Sequence, residues 1–319
     1  LAANADVAAA VTAGTFASAL DHFISFGQNE ARTGSGITEG ISQGTAGETF
    51  SLTNGTDLAG GNSASNSGLS SSFRFTANNE TVNAGLGTLA TADTLLDSTT
   101  TDFDVLNATL TGASGQFTAQ NIETINGNMS AGSPILELDN VSGINNVGVS
   151  GTVAGQVDGF NAQVSQPTIN LNGYTNTITV LPTTFAGTTG AGTAETINMS
   201  VTGATFGSTA ATQTDIKIDG TGGGGTVETL NIASNGDAAN VFELDAQNAA
   251  VFGTVNLTGA QDATVRMAHA DLTGVTIAGG ANTGSTTLLV DRQGTTTTAT
   301  NLANVSGIDT ITFRDSTAG

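Results

Sequence analysis

Hydrophobic and polar residues alternate through most of this chain, in short runs. Thr196-Ile197-Asn198-Met199 is one such run. Thr229-Leu230-Asn231-Ile232, Thr254-Val255-Asn256-Leu257 and Thr310-Ile311-Thr312-Phe313 repeat it. A period of two sends the apolar side chains to one face of a strand and the Thr and Asn side chains to the other. The pairs Leu136/Leu138, Ile178/Val180, Ile216/Ile218 and Phe242/Leu244 fit the same alternation. From about Asn107 onward the chain therefore reads as strands, with Leu230, Ile232, Val255, Leu257, Ile311 and Phe313 pointing inward.

The Thr-φ-Asn-φ units start 33 residues apart (196 to 229) and then 25 apart (229 to 254). A β-solenoid, in which each coil gives one strand to each stacked sheet, has periods of roughly 20 to 35 residues. One coil cannot bury its inner face alone. Stacking buries a continuous Ile/Val/Leu stripe, and glycines serve the corners through positive φ. The expected fold is mainly β: a right-handed parallel β-solenoid (β-helix-like) with a short N-terminal helical segment. Tandem β-sandwiches are the alternative that the same short strands allow.

The first residues depart from this pattern. Asp6 to Val11 is Ala-rich and reads as one short helix; Thr15 caps a second, through Phe16, Leu20, Phe23 and Ile24. Those four recur at i, i+4, i+7 and i+8, on one helical face. His22 beside that face reads as a structural histidine. Residues 34 to 50 are rich in Gly, Ser and Thr and read as a linker or surface loop. Residues 62 to 72 are the most Ser-rich part and read as a mobile loop.

Composition narrows the function classes. The chain has 319 residues, 27 of them acidic and 6 basic, for a net charge of −21. With no basic stripe to meet phosphates, nucleic acid is not an expected partner. Cations are the natural counterpart of so acidic a surface. There is no Cys, so disulfides and thiolate metal sites are excluded. No run of 18 consecutive apolar residues exists, so no transmembrane helix is expected. The chain starts at Leu1 without Met and stops at Gly319, which reads as a piece of a longer protein.

Catalytic motifs are sparse. Gly220 to Gly225 lacks the Lys-Ser/Thr of a phosphate loop and reads as a solenoid corner. Glu243/Asp245 and Asp102/Asp104 are paired carboxylates, and a glycosidase pair needs two such acids. Sugar platforms are scarce, with no Trp and Tyr174 the single Tyr.

The stretch from Thr56 to Asn107 carries the candidate chemistry. Asp57, Glu80, Asp93, Asp97, Asp102 and Asp104 lie there among Gly, Asn, Ser and Thr, with Arg74 the single positive charge. Ca²⁺ takes six to eight hard oxygen ligands in a flexible shell. Closely spaced carboxylates on turn-forming residues supply them.

The same stretch carries a family resemblance. GTD, NNETVNAG, ADTL and DVLN resemble a segment of the calcium-dependent, type-I-secreted S-layer proteins of Gram-negative bacteria (Caulobacter-type, related to RTX proteins). In that family a GTD…NNDTF…GDTL…TDVLN segment lies where a helical anchoring region meets a long β-solenoid. About fifty residues match closely, and the rest matches in texture. DHFISFGQNEAR likewise resembles a short helical module, HFxxFGxxEGR, of secreted repeat and S-layer proteins, with Arg32 at its closing position. The resemblance implies that Asp57, Asn79, Glu80, Asp93, Asp97 and Asp104 hold Ca²⁺. Glu80 stands where the family has Asp, and DSTTTDFD replaces its GGAGTD turn.

The expected organisation is a helical module (1–36), a calcium-rich loop and strand segment (37–107) and a β-solenoid (108–319). The expected function is that of an extracellular, structural cell-surface protein, not an enzyme, self-assembling into an S-layer lattice with Ca²⁺. The expected partners are further copies of itself and cell-surface polysaccharide. A surface adhesin or fibre subunit is one alternative, and a polysaccharide-active solenoid enzyme is another.

Overall fold

A computed structural model of the chain describes residues 46–60, 75–159, 167–181, 196–205, 214–219, 226–247, 251–293 and 302–316. The expected helices, His22, Arg32, the Ser-rich loop and the Gly220–Gly225 run lie outside these residues. The chain divides into two units, Leu1–Ala46 and Gly47–Gly319. The second unit is built from strands.

Each alternating run forms a strand. The strands in chain order are β1 (Ala46–Ser51), β2 (Leu58–Gly60), β3 (Asn79–Ala84), β4 (Thr94–Leu96), β5 (Val105–Leu110) and β6 (Thr118–Gln120). A three-strand coil comes next, with β7 (Thr124–Met129), β8 (Ile135–Glu137) and β9 (Val141–Ser142). Then come β10 (Asn146–Gly151), β11 (Gly155–Asp158), β12 (Thr168–Asn172), β13 (Thr177–Leu181), β14 (Thr196–Thr202) and β15 (Thr214–Asp219). The last are β16 (Thr226–Asn235), β17 (Asn240–Gln247), β18 (Val251–Gly259), β19 (Ala263–Ala268), β20 (Thr276–Asn282), β21 (Thr286–Gln293), β22 (Val305–Ser306) and β23 (Thr310–Ser316). Helix among the described residues is limited to a single 3-10 turn, His269–Leu272.

The strands stack into three sheets. An 11-stranded sheet runs β1-β3-β5-β7-β10-β12-β14-β16-β18-β20-β22. An 8-stranded sheet runs from β8 through β11, β13, β15, β17, β19 and β21 to β23, and a 4-stranded sheet runs β2-β4-β6-β9. Every registered pairing is parallel. Parallel neighbours one coil apart define a β-solenoid. The sandwich alternative, built from antiparallel strands, does not occur among the described residues. The early coils return through the 4-stranded sheet and the later ones through the 8-stranded sheet. The coil of β7, β8 and β9 contributes to all three. Just before it, Ala113 forms an isolated parallel bridge to Ile135 of β8, the edge strand of the 8-stranded sheet.

The Thr-φ-Asn spacing is the coil length. Thr196 pairs with Thr229, and Thr229 with Thr254. Coil length varies, from 19 residues between Asn107 and Asn126 to 38 between Ile178 and Ile216. The strands stay paired in parallel, with one register shift between β18 and β20 at Asn256/Thr258, because the loops between them absorb the difference in length.

The inner faces form one stacked core. Leu106, Ile125, Val147 and Ile169 stack along the 11-stranded sheet, and Leu136, Val157, Val180 and Ile218 along the 8-stranded one, all buried. Leu230, Ile232, Val255 and Leu257 are buried as expected. Ile311 and Phe313 are not: they pair with Leu288 and Val290 but remain 37% and 50% exposed. They sit on β23, the terminal strand of its sheet, so no described strand covers them. β1 overlaps the end of the segment expected to be linker, and buried Phe50 is its apolar anchor, packed edge-on against Phe75 at 5.9 Å.

The outer faces differ in chemistry. On the 11-stranded sheet Asn side chains form ladders. Asn107 donates to Asn83 (3.2 Å) and Asn126 to Asn107 (2.9 Å); Asn231 donates to Asn198 and Asn256 to Asn231, both at 2.9 Å. The 8-stranded sheet carries charges instead. Lys217 pairs with Asp215 (3.4 Å) and Asp245 (3.9 Å), while Arg266 pairs with Glu243 (3.6 Å) and with Asp291, which also takes Arg314.

Candidate metal centre

The acidic residues of the early coils are placed by the strand stacking. Glu80 in β3, Asp104 just before β5 and Glu123 just before β7 share one column, since Thr81 pairs with Val105 and Val105 with Thr124. Each carboxylate reaches back one coil. The amide of Glu80 donates to Oδ1 of Asp104, and the amide of Asp104 to Oε2 of Glu123, both at 2.7 Å. The first member is held by its own turn: the amide of Thr76 donates to Oε2 of Glu80 (2.9 Å) and its hydroxyl to Oε1 (2.7 Å).

Asp102 enters from the turn before β5. The Thr99 hydroxyl lies 2.6 Å from both Asp97 Oδ2 and Asp102 Oδ1, and the Thr99 amide donates to Asp97 at 2.9 Å. One carboxylate oxygen each from Glu80, Asp102 and Asp104 lie within 4.8 Å of one another, and all three residues are buried. Oxygens at 2.3–2.6 Å from a common hard cation can be no farther apart than about 5 Å.

Three oxygens in this group have no hydrogen-bond partner although they are buried: Asp97 Oδ1, Asp102 Oδ2 and Asp104 Oδ2. A buried acceptor left without a donor is costly, more so when it is charged. The electrostatics agree. Burial pushes Asp104 up to about 8, helped by the charges of Glu80, Asp102 and Asp97 and opposed by the bond from the Glu80 amide. Burial also raises Asp97, with Asp102 adding to the rise, and raises Glu123. Among the described residues no Lys or Arg pairs with any of these carboxylates. This is a buried acidic cluster whose all-oxygen donor set fits a hard metal ion.

The residues expected from the sequence divide into two groups. Glu80, Asp102 and Asp104 come together, Asp97 joins them through Thr99, and Asn79 braces the same turn by accepting the Phe103 amide at 3.0 Å. Asp57 and Asp93 form a separate pair at the start of the 4-stranded sheet. Asp93 accepts the amides of Asp57 (2.9 Å) and Ala90 (2.7 Å), and Asp57 accepts the Thr53 amide (2.7 Å). Burial raises Asp93, and the Asp57 charge adds to it. Sequence reasoning missed Glu123, Thr99 and Thr76. A signal for Glu123 exists: an acid precedes the Thr-φ-Asn unit in Glu80-Thr81-Val82-Asn83, Glu123-Thr124-Ile125-Asn126 and Glu228-Thr229-Leu230-Asn231.

The chain matches no known protein family, and no curated protein or solved structure is similar enough to count as a relative.

Proposed function

We propose that this chain is a structural protein of the bacterial cell surface, an S-layer subunit or a close relative, that assembles in a Ca²⁺-dependent way. The observation that carries the calcium part is the set of three buried, unpartnered carboxylate oxygens on Asp97, Asp102 and Asp104, beside Glu80. The resemblance of the same segment to calcium-dependent S-layer proteins supports the rest.

Glu80, Asp102 and Asp104 would hold the ion, with Asp97 completing the shell. Ca²⁺ would cancel their mutual repulsion and tie two successive coils together. The chain's own part is to keep these oxygens converged: Thr76 fixes Glu80, Thr99 fixes Asp97 and Asp102, and the Glu80 amide fixes Asp104. Extracellular calcium modules bind with dissociation constants of about 10⁻⁴ to 10⁻³ M. The segment is then loose in calcium-poor cytoplasm and ordered outside the cell. An ion that binds the folded form alone stabilises it with the logarithm of its concentration.

Electron microscopy and thermal melting, each with Ca²⁺ and again with chelator, test the reading. Ordered sheets and a higher Tm with Ca²⁺ are expected. A Tm indifferent to chelator, or assembly that proceeds without calcium, overturns it.

A further inference from the structure

Charge is not spread evenly over the strands of the solenoid. Between Thr81 and Asn282, the strands of the 11-stranded sheet contain no Asp, Lys or Arg and a single Glu, Glu228 at the start of β16. Its outward positions are Thr, Asn, Ser, Gly, Ala and Val. The strands of the 8-stranded sheet hold Glu137, Asp158, Asp215, Asp219, Glu243 and Asp245 among their charges. Two copies meeting through the 8-stranded sheet would bring like charges together. Two copies meeting through the 11-stranded sheet would not.

The neutral face is also pre-ordered. Asn107, Asn126, Asn231 and Asn256 each spend one amide N–H on the Asn one coil back. Each of these amides carries a second N–H. Thr229 and Thr254, in register beside Asn231 and Asn256, are β-branched and stiff at χ1. Side chains already held in place lose little entropy on binding. From β3 to β20 the sheet has nine strands. At about 4.8 Å per strand and about 20 Å of strand length, that is roughly 800 Å², the area each partner gives to a standard stable interface. Rungs repeating at one spacing on both copies allow identical faces to interdigitate, as stacked Asn ladders do between paired sheets. A face that meets its own copy is isologous and closes a two-fold contact.

We propose that the outward face of the 11-stranded sheet is the surface through which two copies of this chain associate. The proposal rests on the assembly reading above and assigns the face.

The test is sedimentation equilibrium of the whole chain, in Ca²⁺ and in chelator, for wild type and two double variants. Thr168→Glu with Thr254→Glu places two charges on the neutral face. Thr179→Glu with Thr287→Glu places the same charges on the 8-stranded sheet. Circular dichroism melts report folding. The neutral-face pair is expected to weaken association at least about tenfold, and the control pair to leave it unchanged. Because the chain has no Cys, spin labels on Thr254→Cys and, separately, Thr179→Cys give an independent readout should the Glu variants fail to fold. Labels at residue 254 are expected to couple between copies, and those at 179 are not. Equal loss in both Glu pairs, wild type that stays monomeric in both buffers, or coupling at 179 alone overturns the proposal. So does a monomer that a neutral polysaccharide matrix retains through this face. Association that ignores chelator but is lost in the neutral-face pair leaves the face standing and removes the calcium reading. Calcium-dependent association indifferent to those substitutions does the reverse.

Discussion

A carboxylate needs a reason to lie in a protein interior, and Asp104 has only part of one. The Glu80 amide satisfies Oδ1, while Oδ2 has no partner. Its folded pKa is about 8 against an ordinary 3.8, so the metal-free fold favours the protonated acid. Below about pH 4 the acid is protonated folded or unfolded, and no stability is lost. Between pH 4 and 8 the unfolded chain releases a proton that the folded one retains, so stability falls as pH rises. In chelator, Tm is expected to decline across that window and to recover on adding Ca²⁺, as differential scanning fluorimetry will record. Asp97 and Glu123, both raised by burial, add to the same slope. Asp104→Asn keeps an oxygen for the Glu80 amide and removes the charge. That variant is expected to raise Tm in chelator, flatten the pH dependence and abolish the Tm gain from calcium. A variant that melts like wild type in both buffers would exclude Asp104 from the site.

Elements in this fold hold together by repetition across coils. Asn231 sits between Asn198 and Asn256, donating to one and accepting from the other. Asn231→Ala breaks both bonds and is expected to cost about 1–2 kcal/mol in urea unfolding. Asn231→Asp keeps the acceptor, loses the donor and adds charge, and it should fall further. Gly259 ends β18 at φ +106°, and a Cβ there would sit 2.2 Å from the carbonyl oxygen of Ser234. Gly259→Ala is thus expected to destabilise by more than the loss of one ladder bond, in the same assay. The Thr-φ-Asn pattern made the 11-stranded sheet legible, because strands of six or more residues show alternation clearly. The 4-stranded sheet was not legible: Leu58–Gly60 and Thr94–Leu96 have three residues each, too few to display a period. The acidic cluster was legible as a dense patch, but its division was not. Whether Asp93 joins Asp57 or Asp104 depends on coil length, which loops vary freely. Glu123 escaped notice because it belongs to the next coil, 19 residues from Asp104.

Across the whole solenoid, charge and apolar surface are sorted by sheet. The 4-stranded and 11-stranded sheets frame the buried acids, the 8-stranded sheet carries the ion pairs of Lys217, Arg266 and Arg314, and the outward 11-stranded face stays nearly neutral. The partly exposed pairs of Lys217 and Arg314 contribute little individually and weaken in salt, whereas Arg266 and Asp291 are buried, and removing either leaves the other charge uncompensated. The core, by contrast, is uniform from coil to coil. Ile125→Ala, deep in that core, is expected to cost about 2–5 kcal/mol, with hydrogen exchange accelerating first in the neighbouring strands β5 and β10, since each coil touches only its neighbours.

Parallel, in-register stacking also dictates how the molecule yields to force. Tension applied along the solenoid axis loads the hydrogen bonds between successive coils one row at a time, as a zip is drawn. Each coil that detaches releases between 19 and 38 residues. At about 3.4 Å per extended residue, optical-tweezer traces are expected to show steps of roughly 65 to 130 Å rather than one abrupt lengthening. A fold so built lengthens by instalments under load and can rewind each lost coil on the template still standing beneath it.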